Sequence, residues 1–183
     1  MLPLVLNDVP LYLQPQSFFQ TNPQLAAKLY QTARDWTQGL ALVRVWDLFC
    51  GVGGFALHLA NAGREVTGIE ISAAAIDCAS RSAAQMGFTN IKFQALDAAA
   101  FAAAQQASPD LLVVNPPRRG LGAELCQTIT QLQPHWLLYS SCNPQSLAAD
   151  LAQLSHYQLI QAQLFDFFPH TSHAEVLCLL QLR

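Results

Sequence analysis

Lysine is almost missing: Lys28 and Lys92 are the two in 183 residues, and no basic run occurs anywhere. With 11% charged residues and a formal net charge of −3, the chain lacks the clustered positive charge that phosphate neutralisation requires. Taken alone, that composition argues against nucleic acid as a partner. Paired cysteines are also lacking. Cys50, Cys78, Cys126, Cys142 and Cys178 stand at wide spacings, without a CxxC or a Cys/His zinc pattern. A disulfide framework and a metal cluster are therefore not indicated, and reduced thiols in a cytoplasmic protein are expected. The opening "MLPLVLNDVPLYL" has no basic start and is broken by Pro3, Asn7, Asp8 and Pro10. It reads as neither a signal peptide nor a membrane span. No internal repeat occurs, and nothing points to a membrane or an obligate protein partner.

What is present is apolar. Hydrophobic residues make up 52% of a chain long enough for one well-filled domain. Residues 1–22 read as an N-terminal arm and 23–183 as the domain proper. "NPQLAAKLYQTARDWTQ" predicts a helix with Asn22 as cap and Pro23 at its first position. Strands then alternate with helices: "VRVWDLF", "EVTGIE", "NIKFQ", "DLLVVN" and "HWLLYSS" as near-continuous apolar strands, separated by helical runs. Such strands belong to a parallel sheet covered on both faces. The tail differs, because "YQLIQAQLFDFF" and "AEVLCLLQL" are separated by only a short segment. A connection that short joins antiparallel strands. The predicted fold is α/β, a Rossmann-like methyltransferase outline: a mostly parallel sheet, helices on both faces, and a C-terminal antiparallel hairpin.

In open α/β sheets ligands bind outside the carboxyl ends of the strands. The first strand runs into "DLFCGVGGF", where Gly51, Gly53 and Gly54 permit a tight turn and close approach to a ligand. The second strand ends in Glu70, at the distance that ribose recognition needs. The bland alternative is a glycine turn beside a surface glutamate. NAD is a rival cofactor, since "GVGGFA" satisfies G-x-G-x-x-G/A, but "DLFC" separates the glycines from the strand. Asp47 stands where methyltransferases place an acid near the methionine part of S-adenosylmethionine, and that cofactor is preferred. Asp97, after the third strand, joins the cofactor-binding candidates with Asp47, Gly51, Gly53 and Glu70.

The fourth strand ends in "NPPRRG". Its two prolines donate no backbone hydrogen bond and keep Asn115 out of the helical region, at the rim. The alternatives are a plain rigid turn and an amino-methylating enzyme. In the latter N-P-P precedes an aromatic residue, and here Arg118 follows. Arg118 and Arg119 are therefore substrate-side candidates. The fifth strand ends at Cys142, in "YSSCNP". A cysteine is usually core, but this one shares a rim with the glycine loop, Glu70 and Asn115. A thiolate adding to C6 of a pyrimidine makes C5 nucleophilic, and a base must then remove the C5 proton. Glu175 begins the last strand near the same rim and suits that base. His170, His173 and Glu175 could be read as metal ligands, but no further acid or cysteine accompanies them and no metal is assigned. His173 is placed beside the substrate instead.

"FFQTN", "DLFCGVGGF", "NPPRRG", "SSCNP" and "FPHTSHAE", in that order, resemble the RNA uracil-5-methyltransferases, and within them the branch acting on 23S ribosomal RNA. The resemblance runs from about Leu11 to the C-terminus. It implies that Gln20, Phe49, Glu70 and Asn115 lie at the S-adenosylmethionine site. It also implies Cys142 as nucleophile, Glu175 as base, and 23S rRNA as substrate. Most of the family has Asp where Asn115 stands. Family members are about twice this length, with an N-terminal half that carries RNA-binding surface and a 4Fe-4S cluster. That cluster is expected only there, and the missing surface would account for the acidic balance of this chain.

Overall fold

The computed structural model describes residues 1–14, 22–167 and 174–183. Strands β1 (Leu2–Leu6) and β2 (Val9–Leu13) form a small antiparallel sheet of their own. The segment read from sequence as an N-terminal arm thus contains a hairpin, although Pro3 and Pro10 look like breakers. In a two-stranded ribbon every strand is an edge, and edges tolerate proline. The turn is Asn7-Asp8, with φ of 49° and 66°, the left-handed pair that a tight two-residue hairpin needs. This hairpin lies on the helices. Asn7 donates to the Ala27 carbonyl at 2.6 Å, and the Tyr12 hydroxyl donates to Gln85 at 2.8 Å.

The main sheet has seven strands. β3 (Arg44–Leu48), β4 (Glu65–Glu70), β5 (Ile91–Ala95), β6 (Leu111–Val114) and β7 (Trp136–Ser141) are parallel. β8 (Tyr157–Phe165) and β9 (Glu175–Leu182) complete the order β5-β4-β3-β6-β7-β9-β8, with β9 antiparallel to both neighbours. The parallel sheet and closing hairpin match the sequence expectation. Strand side chains alternate between two cores. Val45, Leu111, Val113, Leu138 and Leu177 pack toward α1 (Pro23–Thr37), α2 (Gly54–Leu59) and α3 (Ala73–Met86). Trp46, Leu48, Leu112, Leu137 and Tyr139 face α4 (Ala98–Ala103), α5 (Gly122–Leu132) and α6 (Pro144–Gln153). Sequence caps set the helix starts: Asn22 accepts from Gln24 and Leu25, and Asn143 from Gln145, each at 3.1 Å.

Where α1 meets α2 the packing depends on a missing side chain. The Tyr30 ring meets Phe55 edge-on at 5.0 Å and stacks on His58 at 4.8 Å. A Cβ on Gly54 would overlap the Tyr30 ring and its hydroxyl. Gly54→Ala should therefore destabilise the fold by about 1–3 kcal/mol, the usual range for overpacking. Urea denaturation should show a lowered midpoint with an unchanged slope.

Candidate active site

The loop after β3 is held by left-handed residues. Phe49, Gly51 and Gly53 have φ of 61°, 54° and 87°. A bulky non-glycine residue there is uncommon, and such strain persists where the surroundings fix it, often at functional sites. The two glycines serve different ends. A Cβ on Gly53 would press on Phe93, Leu57 and Ala79, whereas one on Gly51 would meet open space at the rim. Glu70 braces this loop. Its carboxylate accepts from Ser72 N at 3.0 Å and from Gly51 N at 3.2 Å. Each oxygen keeps a further acceptor direction for a ligand hydroxyl. Asp97 stands at the end of β5, exposed, and caps α4 by accepting from Ala100 N at 2.9 Å. Its second oxygen is not used by that cap.

Asp47 lies beneath the loop, fully buried. Oδ2 accepts from Ala56 N at 2.9 Å, while Oδ1 has no hydrogen-bond partner among the described residues. Burial pushes its carboxyl up to about 8; the Ala56 N–H opposes that rise and the charge of Glu70 adds to it. An orphaned buried acceptor is costly and calls for a ligand donor. A bound ammonium or hydroxyl group there would remove the cost.

On the other side of β3, Asn115 follows β6 half-buried, its N–H reaching the Leu48 carbonyl at 3.4 Å. Arg118 and Arg119 are exposed in the turn beyond. Cys142 is the first residue after β7 and is half-buried, while the other four cysteines are buried. Its thiol is pushed up by burial and by the nearby Glu175 charge, and pulled down by the nearby Arg118 guanidinium. Arg118, expected to meet substrate, thus also acts on the sulfur. The Asn143 side chain fixes the same turn by donating to the Arg118 carbonyl at 3.0 Å.

Glu175 opens β9, where Val176 pairs with Ser141. Antiparallel pairing brings the start of β9 to the end of β7, so Glu175 and Cys142 share the rim. Glu175 is 4% exposed. Burial raises its carboxyl to about 7, and a hydrogen bond donated by the Ser140 hydroxyl opposes that rise.

The structure therefore gathers Cys142, Glu175 and Arg118 on one side, and Glu70 with Gly51 on the other, with Asp47 buried beneath. Gln20, His170 and His173, all candidates on sequence grounds, lie outside the described residues. Three supporting residues escape the sequence reading. Ser140 sits inside what reads as an apolar strand, although its place two residues before Cys142 puts it on the same face. Asp150, 3% exposed on α6, accepts from the Tyr139 hydroxyl at 2.7 Å and from Leu121 N at 2.8 Å. Tyr30 brings a phenol against Gly54. No motif marks the last two.

The raised carboxyls make stability depend on pH. Folded Asp47 keeps a proton that the unfolded chain loses near pH 4, so stability falls as pH rises toward about 8. Glu175 has the same sign up to about 7, while buried His58, lowered to about 4, acts in the opposite sense below 6.5. In the ligand-free protein, stability should fall from pH 6.5 to 8. Asp47→Asn should reduce that fall, as read by urea titration at each pH; an unaltered slope would place the proton elsewhere.

Comparison with known proteins identifies the family. Residues 5–183 match the family described as tRNA (Uracil-5-)-methyltransferase. The 23S rRNA (uracil(747)-C(5))-methyltransferase RlmC of Pectobacterium atrosepticum is 58% identical over 96% of this chain and 47% of its own length. The protein of the same name from Yersinia pestis is 57% identical over 100% of this chain and 48% of its own. The chain thus spans about half the length of the curated relatives it matches. Among solved structures, the tRNA (uracil-54, C5)-methyltransferase of Pyrococcus abyssi, in complex with S-adenosyl-L-homocysteine, superposes with a TM-score of 0.85 at 30% identity. That match covers 98% of this chain and 44% of the other. By sequence and by fold, this chain belongs to the tRNA (uracil-5-)-methyltransferase family.

Proposed function

We propose that this chain forms the catalytic part of an S-adenosylmethionine-dependent methyltransferase that methylates C5 of a uridine in 23S ribosomal RNA. The single observation that carries the reading is the pairing of Ser141 with Val176, which brings Cys142 and Glu175 together at the strand rim. The RlmC relatives supply the substrate class.

S-adenosylmethionine supplies an electrophilic methyl group when bound. The residues that would hold it are those of the first three strand ends: Asp47 with its open Oδ1, the Gly51 loop, Glu70 and Asp97. Phe49 and Asn115 border the same opening. A cation beside Asp47 would favour its ionised form.

Chemistry on the uridine belongs to the other side. Cys142 must first lose its proton, which Arg118 favours and a charged Glu175 opposes. The thiolate then adds to C6, and the displaced π electrons leave C5 nucleophilic with charge on the O4 side of the ring. C5 would accept the methyl group of the bound cofactor, whose demethylated form is the leaving group. Glu175 takes the C5 proton, the C5–C6 double bond re-forms, and the Cys142 sulfur departs. A carboxyl held near 7 is matched to this duty, being ionised in part at neutral pH yet basic enough to accept the proton. Arg119, exposed in the same turn as Arg118, could meet a phosphate.

Two substitutions test the scheme. Cys142→Ala should abolish methylation of a 23S rRNA transcript while leaving cofactor affinity within about twofold, since no step of binding uses the thiol. Glu175→Gln should still permit methyl transfer but stall release. Protein linked to RNA should then accumulate on a denaturing gel, with turnover reduced on the order of a hundredfold or more. Normal turnover by the glutamine variant with no linked species would move the base to another residue.

A further inference from the structure

Ser140 has no place in the reaction described above, yet it touches Glu175 directly. It is fully buried in β7 and paired in register with Leu177, two positions along β9 from Glu175 at the strand start. Alternation along β7 turns Tyr139 toward α5 and α6 and Ser140 toward the opposite face, the face on which Glu175 lies. Its hydroxyl donates to Glu175 Oε1. Among the described residues, Ser140 makes the one hydrogen bond to the Glu175 carboxyl.

We propose that Ser140 is a positioning residue for the reaction: its hydroxyl holds one Glu175 oxygen, leaving the other directed at the rim as an ionised acceptor for the C5 proton. The inference rests on the reading of Glu175 as the base. A donated hydrogen bond stabilises a carboxylate more than a carboxylic acid, because the acceptor is charged. It therefore works against the burial that favours the protonated form. Among the described residues, Tyr30 from α1 and Cys142 from the end of β7 are the other titratable groups that interact with Glu175, and Arg118 acts on Cys142. On β8, Glu175 pairs with Phe165, which brings no charge. Of these neighbours, Ser140 alone donates to the carboxyl.

The test is a 13C NMR titration of the glutamate side-chain carboxyls in the ligand-free protein. Four glutamates are present (Glu65, Glu70, Glu124 and Glu175), and the resonance missing from Glu175→Gln identifies the fourth. Ser140→Ala removes an oxygen without adding volume, so the fold is kept. Its Glu175 midpoint should move upward by about one pH unit, the equivalent of losing one charged hydrogen bond. Ser140→Thr should move it back toward the wild-type position. In methylation assays, Ser140→Ala should release product about fivefold more slowly at pH 7 and recover at pH 9, whereas a merely structural loss would slow release equally at both. An unmoved midpoint overturns the proposal. A moved midpoint with unaltered release overturns the role of Ser140 in the reaction. If Glu175→Gln also releases product normally, the fault lies in the assignment of Glu175 as base.

Discussion

Antiparallel pairing of β9 with β7 is the constraint on which the site depends. In a wholly parallel sheet, strand starts and strand ends lie on opposite edges, and the first residue of one strand cannot face the last of its neighbour. Reversing one strand removes that separation. Val176 opposite Ser141 sets the register, so an acid that begins β9 and a cysteine that follows β7 arrive at one place. A slip of one residue would turn Glu175 to the other face of the sheet, away from Ser140 and toward the α5 and α6 core. Register here is chemistry. It is guarded by the apolar residues Leu177, Leu179 and Leu180, which are buried on alternate faces further along the strand.

Acids at the rim are tuned by how far they sit below it. Glu70, part-exposed, is committed to two backbone N–H groups and braces the glycine loop. Asp47 and Glu175 are buried, and water is replaced at each by a single hydrogen bond, from Ala56 N and from Ser140. One donor does not match the solvation of a free carboxylate, so both hold protons more tightly than usual. The same physics yields different uses. In the proposed reaction, the acid below the glycine loop would keep an oxygen open for a bound cation, and the acid at the start of β9 would accept a proton.

Much of this arrangement is legible in the sequence alone. The continuous apolar runs mark the parallel strands, the short final connection marks the hairpin, and the breaks "FCGVGG", "NPPRR" and "SCNP" mark the strand ends. Cys142, Glu175, Glu70 and Asp47 can all be named from sequence because motif chemistry at a strand end is local. The N-terminal hairpin is not legible, since Pro3 and Pro10 mislead where a strand is short and wholly edge. Nor are Asp150 and Tyr30. They act through contacts with Leu121, 29 residues away along the chain, and with Gly54 across the α1–α2 packing. Long-range contacts of this kind leave no pattern in a neighbouring window of sequence. Ser140 is intermediate, because the period of two already places it on the face of Cys142.

Asp150 has a mechanical consequence. From α6 it grips Leu121 N on the far side of the arginine turn and the Tyr139 hydroxyl on β7, while Asn143 ties the near side through the Arg118 carbonyl. The turn is thus pinned at both ends to the segment that carries the thiol. The backbone of the arginine turn and the backbone that carries Cys142 are thereby tied into one unit. Moving the arginine turn apart from the strand end that carries Cys142 would require breaking at least one of these three bonds.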